Sequence, residues 1–502
     1  MTEPHELTAL QQAAALRAGE LGAVELVEHA LRRIERLDPT LAAFVTLTPE
    51  RALDAARAAE KLLAGASGAA GSRRAEPGRA EAGSAEAAGL PPLLGVPTAI
   101  KDLAVTAGVR TTFGSPVYAD YVPEVDDDAA RLLAAAGTIS LGKTAVPEFG
   151  LPPYTEPAGR PATVTPWDVR RLAGGSSGGA GAAVAAGLIA FAHGTDGGGS
   201  IRIPASVCGL VGLKTSRGLV SRGPVGGDPL GLSVSGPLAR TVPDAAAMLD
   251  ALAVPVPGEP FTRPVAGGES FLEAARRAEP GRLRIGRYAR PMLPELTVDP
   301  ACLAAYEHTS ELLAELGHEV VDLDPGTDPA FVEVFETLWA VLAHGHPVPP
   351  AAEHTLKPLT RWWRARGAAV SGPEFMAAAQ AAHNVSRRVI AAHLAADVVL
   401  TPTLAQLPRP VGWFTDGGDP THDPADDYAR QQAFTPFTAI YNITGQPALN
   451  LPLGWTEPTD DRPVLPVGVQ LVGAPGADRL LLELGASLAA AAPWDDRHPP
   501  TW

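Results

Sequence analysis

The chain has 502 residues, 46% of them hydrophobic and 19% charged, with a formal net charge of −16. That balance is globular and supplies a large core; its acidity argues against nucleic acid as the main partner and against adsorption to an anionic membrane. Two cysteines, Cys208 and Cys302, make neither a disulfide framework nor a four-ligand zinc site, and the start, Met1-Thr2-Glu3-Pro4-His5-Glu6, lacks the basic stretch of a secretory signal, so a reducing cytoplasm fits.

Residues Leu7 to Ala64 read as helices: Leu7, Leu10, Ala14 and Leu16 recur at helical spacing, Val24 to Ile34 repeats the pattern, and Arg51 to Leu63 is alanine-rich with alternating charge. Gly65 to Gly89 has too few large apolar groups to offset ordering and is expected to be a flexible surface insertion. From Leu93 to Val220 short apolar runs alternate with helical ones. Leu93–Ile100 and Thr138–Leu141 read as buried strands, and Asp127 or Asp128 caps a helix that runs to Ala136 and stops at Gly137. Pro166 to Arg171 reads as a loop. Leu172 to Ala192 carries no charge, but its first half is mostly Gly and Ser; only Ala180–Ala192 is apolar enough for a helix, a buried one rather than a membrane span. Pro255–Gly281 reads as a linker or long loop, Leu283–Leu323 as a β-α-β unit and Phe331–Leu394 as helices rich in aromatics. Asp397–Thr401, Ala448–Leu453 and Val467–Val472 read as strands, Ala477–Ala491 as a helix. The alternation predicts an α/β fold, a sheet with helices on its faces, and nothing forces a second folding domain.

Two serines set in glycine carry the chemistry. One lies in Gly174-Gly175-Ser176-Ser177-Gly178-Gly179, the other in Gly194-Thr195-Asp196-Gly197-Gly198-Gly199-Ser200-Ile201-Arg202. Glycines let the backbone approach a reacting carbonyl, and successive bare N–H groups beside a nucleophile can form an oxyanion hole. Asp196 and Arg202 flank the second bed with opposite charges able to pin it, and a helix starting just after the first bed turns its positive dipole end that way. Upstream, Lys101 ends the apolar run Gly95-Val96-Pro97-Thr98-Ala99-Ile100. Of 40 basic residues only Lys61, Lys101, Lys143, Lys214 and Lys357 are lysines. Together these read as a serine hydrolase with lysine as its base.

Other motifs fare less well. Gly174 to Gly178 matches G-x-S-x-G, but a nucleophile elbow needs an apolar strand immediately before it. Gly137-Thr138-Ile139-Ser140-Leu141-Gly142-Lys143-Thr144 matches the P-loop pattern, yet its middle residues read as a strand and Pro147 stands where a helix should begin. His193 reads as a core histidine bonded to backbone. His344 and His346 are too few for a metal site. Arg361-Trp362-Trp363-Arg364-Ala365-Arg366 reads as an amphipathic helix face with stacked Arg and Trp, the rim of a substrate pocket being its functional alternative.

The chain resembles the amidase signature family of serine amidohydrolases from about Leu7 to Trp494, the Gly65–Gly89 stretch interrupting. The likeness rests on Gly95-Val96-Pro97 with Lys101-Asp102, on Gly142-Lys143-Thr144 with Pro147-Glu148-Phe149, and on both serine beds. Gly209-Leu210-Val211-Gly212-Leu213-Lys214, Ser235-Gly236-Pro237, Gly445-Gln446-Pro447-Ala448 and Pro466-Val467-Gly468-Val469-Gln470 extend it. The second bed, continued through Ile203-Pro204-Ala205-Ser206, is most similar to the 6-aminohexanoate-cyclic-dimer hydrolase group; Ala180, where serine is usual, and Thr215, where proline is, depart from the pattern. The resemblance implies one large domain with a mixed β-sheet covered on both faces by helices. It implies Ser200 as nucleophile, Ser176 as a bridging serine after a cis peptide, Lys101 as base, and an oxyanion hole from Gly197, Gly198, Gly199 and Ser200, with Ser177, Asp196 and Arg202 in support. No metal or organic cofactor is called for. The expected partner is a small-molecule amide, and a homodimer is left open.

The expected reaction is hydrolysis of a carboxylic amide through an acyl-enzyme. The rivals are a cyclic amide or lactam oligomer hydrolase, a glutamine-dependent transamidation subunit resembling the glutamyl-tRNA amidotransferase A chain, and a non-catalytic binding homologue. Specificity is expected from Tyr118–Pro123, Phe331–Arg366 and Phe434–Asn442, whose aromatic and aliphatic content favours an uncharged or arylalkyl amide.

Overall fold

The computed structural model describes residues 2–72, 89–226, 228–261, 263, 268–326, 330–419 and 421–502. The chain opens with α1 (Ala9–Ala18), closed at its start by a Thr8/Gln11 capping box, and α2 (Ala23–Leu41). α2 buries Leu26, Val27, Ala30, Ile34 and Leu41, the stripe its spacing predicts. A strand that helical periodicity does not reveal, β1 (Phe44–Leu47), precedes α3 (Pro49–Ser72). Helix α3 therefore enters the expected insertion as far as Ser72; residues 73–88 lie outside the described residues.

β2 (Pro97–Lys101), α4 (Asp128–Ala135) and β3 (Ile139–Thr144) follow as predicted. Next come β4 (Val164–Thr165) and β5 (Asp168–Leu172), a hairpin where a loop was expected. Its exposed middle, Val169 and Arg170, and its Asp168–Arg170 and Asp168–Arg171 pairs hide it from an apolar-run reading. α5 (Gly178–Ala185) is shorter than the expected Ala180–Ala192 helix, because β6 (Phe191–Asp196) begins within that span. Both are fully buried, so hydropathy alone cannot mark the boundary.

α6 (Arg202–Cys208), β7 (Val211–Lys214), β8 (Val234–Ala239) and α7 (Val242–Leu252) complete this half. α8 (Phe271–Arg277) lies within the expected Pro255–Gly281 linker. The predicted β-α-β unit is β9 (Arg284–Arg287), α9 (Pro300–Glu315) and β10 (Glu319–Asp322). The aromatic-rich stretch forms α10 (Ala330–Gly345), α11 (Pro358–Ala369) and α12 (Gly372–His393). β11 (Val398–Pro402), α13 (Pro424–Phe434), α14 (Ile440–Thr444), β12 (Ala448–Trp455), β13 (Pro466–Gly473) and α15 (Asp478–Ala491) finish the chain.

Eight strands form one sheet in the order β10-β9-β11-β13-β12-β7-β8-β6. β10, β9 and β11 run parallel; the other neighbours are antiparallel. The sheet is thus mixed, and its central β12 and β13 read as nearly continuous apolar runs because both faces are covered. A second sheet, β1-β3-β2, adjoins its β6 edge, where Thr98 Oγ1 on β2 donates to the Phe191 carbonyl at 3.1 Å. That junction brings Lys101, the last residue of β2, beside the end of β6.

Candidate active site

Lys101 is fully buried. Its Nζ donates to Ser176 Oγ at 2.9 Å and to the Thr195 carbonyl at 3.1 Å. Burial pushes its pKa well below the usual lysine value; Arg222 pushes the same way and Asp196 opposes. The other buried lysines have different partners. Lys143 donates to the Ala104 carbonyl and to Thr111 Oγ1, with a pKa lowered by burial to about 8. Lys214 donates to the Gln446 and Thr215 carbonyls, with a pKa lowered by burial to about 7. Of these three, only Lys101 reaches a serine of the two beds. Lys143 lies on β3, so the P-loop pattern is a strand, as its context implied.

The Gly175–Ser176 peptide is cis, as the resemblance implied. Glycine at 175 is a steric requirement: a Cβ there would stand 2.7 Å from Tyr154 N. Ser177 ties three elements together. Its Oγ donates to the Thr195 carbonyl at 3.2 Å and accepts the Thr195 N–H at 3.4 Å, and its N–H donates to the Ser200 carbonyl at 3.2 Å.

Asp196 and Arg202, both wholly buried, pin the second bed. The Asp196 carboxylate accepts from Arg202 Nη2 at 2.8 Å and Nε at 2.9 Å, and from the N–H groups of Gly199 at 2.8 Å and Ile201 at 3.2 Å. Burial would raise its pKa, but the Arg202 charge and these donors outweigh burial and hold it well below the usual carboxylate range. Arg202 is satisfied further by the Thr438 carbonyl, Gln470 Oε1 and Asn442 Oδ1 at 2.7–2.9 Å. Asn442 and Gln470 are supporting residues that sequence reasoning missed; Gln470 was legible as a lone polar group inside the apolar run Val467–Val472, which must find a partner.

The oxyanion expectation needs one correction. Gly199 has φ +131° and spends its N–H on Asp196 Oδ1, so it shapes the bed rather than offering a donor. Gly197, Gly198 and Ser200 keep their N–H groups free of protein partners among the described hydrogen bonds. Ser176 Oγ is held by Lys101; among the described residues no hydrogen bond joins it to Ser200 Oγ. Asp196→Asn should leave the buried Arg202 without its counter-charge, a loss of about 3–5 kcal/mol. A large drop in melting temperature with loss of activity is expected, and an unchanged melting temperature would contradict the pinning role.

Ser200 lies on the wall of a cavity whose described lining residues include no charged side chain. Phe331, Val332, Phe335 and Trp339 line it from α10, and Thr435, Pro436 and Ala439 from the segment after α13, so two expected specificity segments contribute. Tyr118–Pro123 does not: Tyr118 packs on Phe113 and Phe149 and donates to the Pro347 carbonyl. Met292, Leu293 and Leu296, and Tyr428, Gln431 and Gln432 on α13, take that place. Arg366 stacks over Trp362 at 4.5 Å, and Trp362 and Trp363 pack on Tyr428, as the helix-face reading expected; none of Arg361–Arg366 is among the residues lining the cavity.

His193 is buried and bonded to Ser235 Oγ at 3.2 Å rather than to backbone, with its pKa lowered by burial to about 3. His346 stacks on Phe149. Among the described residues, only Glu3, His5 and His29 place ligand atoms within 4.8 Å of one another, and none of them belongs to the serine beds.

Residues 25–482 match the Amidase family. The chain belongs to the amidase family. It is 39% identical over 499 residues to "Putative amidase AmiB2" of Mycobacterium tuberculosis (strain ATCC 25618 / H37Rv), covering 98% of this chain and 97% of the relative. It is 33% identical over 515 residues to 6-aminohexanoate-cyclic-dimer hydrolase of Paenarthrobacter ureafaciens, covering 98% and 96%. A solved structure of 6-aminohexanoate cyclic dimer hydrolase complexed with substrate superposes with a TM-score of 0.85 at 31% identity, over 99% of each chain. The mixed sheet flanked by helices is thus the fold of this amidase family, and the protein is an amide hydrolase. No helix among the described residues is long and apolar enough to cross a membrane.

Proposed function

We propose that this amidase cleaves the C–N bond of an uncharged carboxylic amide through Ser200, Ser176 and Lys101. The observation that carries this reading is the 2.9 Å contact between Lys101 Nζ and Ser176 Oγ, where burial favours the neutral amine. A neutral amine that gives one N–H to the Thr195 carbonyl keeps a lone pair for the Ser176 proton. Lys101 takes that proton as Ser176 takes the proton of Ser200, and Ser200 Oγ attacks the amide carbonyl. The oxyanion rests on the N–H groups of Gly197, Gly198 and Ser200. The relay then runs backwards to protonate the departing nitrogen; the C–N bond breaks, and water cleaves the acyl-enzyme with the same relay as base.

A largely apolar wall, with no charged side chain among its described residues, supports an uncharged acyl group. A cyclic amide is the second reading, supported by the likeness to the cyclic-dimer hydrolase. Hydrolysis of simple amides by the purified chain, without partner chains or glutamine, would set the transamidation reading aside. Cys208 and Cys302 are both buried free thiols, which supports a reducing cytoplasmic setting.

Ser176→Ala tests the relay. It should lower kcat by about 10²–10⁴-fold, the usual contribution of a positioned acid–base group, with KM little changed and the unfolding transition kept. Full activity would remove Ser176 from the mechanism. Activity should also survive EDTA, because lysine, serine and glycine N–H groups form no set of metal ligands. Loss on chelation, reversed by one specific metal, would overturn the account.

A further inference from the structure

Tyr428, Gln431, Gln432 and Thr435 put polar groups on the largely apolar cavity wall at and just after the end of α13, and buried partners fix the polarity of two of them, Gln431 and Thr435. Gln431 Nε2 donates to Asp427 Oδ1 at 2.8 Å. Burial raises the Asp427 pKa to about 6, so at neutral pH it is a carboxylate; already accepting the Tyr154 hydroxyl on its other oxygen, at 2.6 Å, it can then only accept, and the NH₂ end of Gln431 must point at it. The carboxamide oxygen is then turned away from Asp427. Asp427 is 3% exposed and Gln431 6%, so water does not scramble this orientation.

The second group is Thr435, four residues on and hence on the same side of the helix end. Thr438 Oγ1 lies 2.6 Å from the Gly198 carbonyl, which cannot donate, so the single Thr438 hydroxyl proton goes there. Thr435 Oγ1 lies 2.7 Å from Thr438 Oγ1 and must therefore donate to it. Its own proton spent, Thr435 can offer the cavity only lone pairs. Both chains end in acceptors on the wall that Ser200 shares. With the acyl arm lying along this wall, the pair faces the part of the substrate that stays on Ser200 after the amine has left.

We infer that Gln431 and Thr435 form an acceptor pair that selects substrates with an N–H donor on the acyl arm, the chemistry of a second, secondary amide along an otherwise apolar chain. An acyl arm lacking that donor leaves both acceptors facing apolar groups, which is unfavourable in a dry site. The inference rests on Ser200 as nucleophile, and its test separates the two.

The probes are 4-nitrophenyl esters of ω-acetamido acids with two to six methylenes, each paired with its N-methylacetamido counterpart, which keeps the shape and removes the donor. For at least one length, kcat/KM should favour the N–H ester by about 10-fold or more, corresponding to about 1.4 kcal/mol. Gln431→Met and Thr435→Val should each bring that ratio down toward one. The ratio is internal to each variant, so a general loss of activity does not imitate the effect, and either variant suffices if the other does not fold. No preference at any length, or a ratio unchanged in both variants, overturns the acceptor pair. Release of nitrophenol by wild type and its loss in Ser200→Ala report the nucleophile separately.

Discussion

Ser200→Ala should lose roughly six orders of magnitude in kcat, the scale of removing the attacking oxygen from a serine hydrolase. Covalent labelling by a fluorophosphonate should vanish with it. The expectation follows from position: Ser200 is the bed serine on the cavity wall, next to N–H groups without a protein partner among the described hydrogen bonds. Melting temperature should change little, because the bed is held by Asp196 and Arg202 rather than by the Ser200 hydroxyl. Label that persisted on the variant and mapped to Ser176 would move the nucleophile to the first bed. A non-catalytic homologue would show no label even in the wild type.

Lys101→Arg should be as inactive as Lys101→Ala, a loss of about 10²–10⁴-fold or more. The relay needs a base that sheds its proton; guanidinium effectively never does. Lysine does so here because burial disfavours its charge, with Arg222 adding repulsion. The sign gives the pH profile. With the folded-state pKa well below the ordinary 10.5, Lys101 loses its proton at lower pH than a free lysine, so kcat/KM should rise with pH as the proton leaves and then level off. Stability follows the same sign: the unfolded chain binds the proton more readily between the two pKa values, so this residue's penalty is largest below the folded pKa and fades as pH rises toward 10.5. Lys101→Arg activity within a tenth of wild type, under about 1.4 kcal/mol of barrier, would show that Lys101 is not the base.

Much of this site was legible because its chemistry is local in sequence. Each serine sits in its own glycine bed, and Asp196 and Arg202 flank Ser200 within a few residues, so spacing alone brought them together. The link from Lys101 to Ser176 is different in kind. It depends on β2 lying against β6, a juxtaposition that periodicity does not encode; the residues marked Lys101 as a candidate base, and only the resemblance implied that Ser176 bridges it to Ser200. Gly199 was misread for a related reason: a glycine run advertises free N–H groups, but which of them is consumed depends on the side chain of Asp196. Strand β6 begins at the end of an apolar helix prediction and β1 lies inside a helical one: β6 is buried throughout and shows no alternation, and β1 has only four residues, too few to set a period of two against the helical pattern around it. The polarity of the cavity wall was out of reach altogether, since Tyr154 and Asp427 meet across 273 positions.

The most direct measurement is to trap the acyl-enzyme. Wild-type protein is quenched in acid during the pre-steady-state burst with a 4-nitrophenyl ester, then digested and mapped by mass spectrometry. The account predicts a single acyl adduct on the Ser200 peptide, formed more slowly at a pH low enough to protonate Lys101. An adduct on Ser176, or turnover with a burst but no adduct on Ser200, would contradict it.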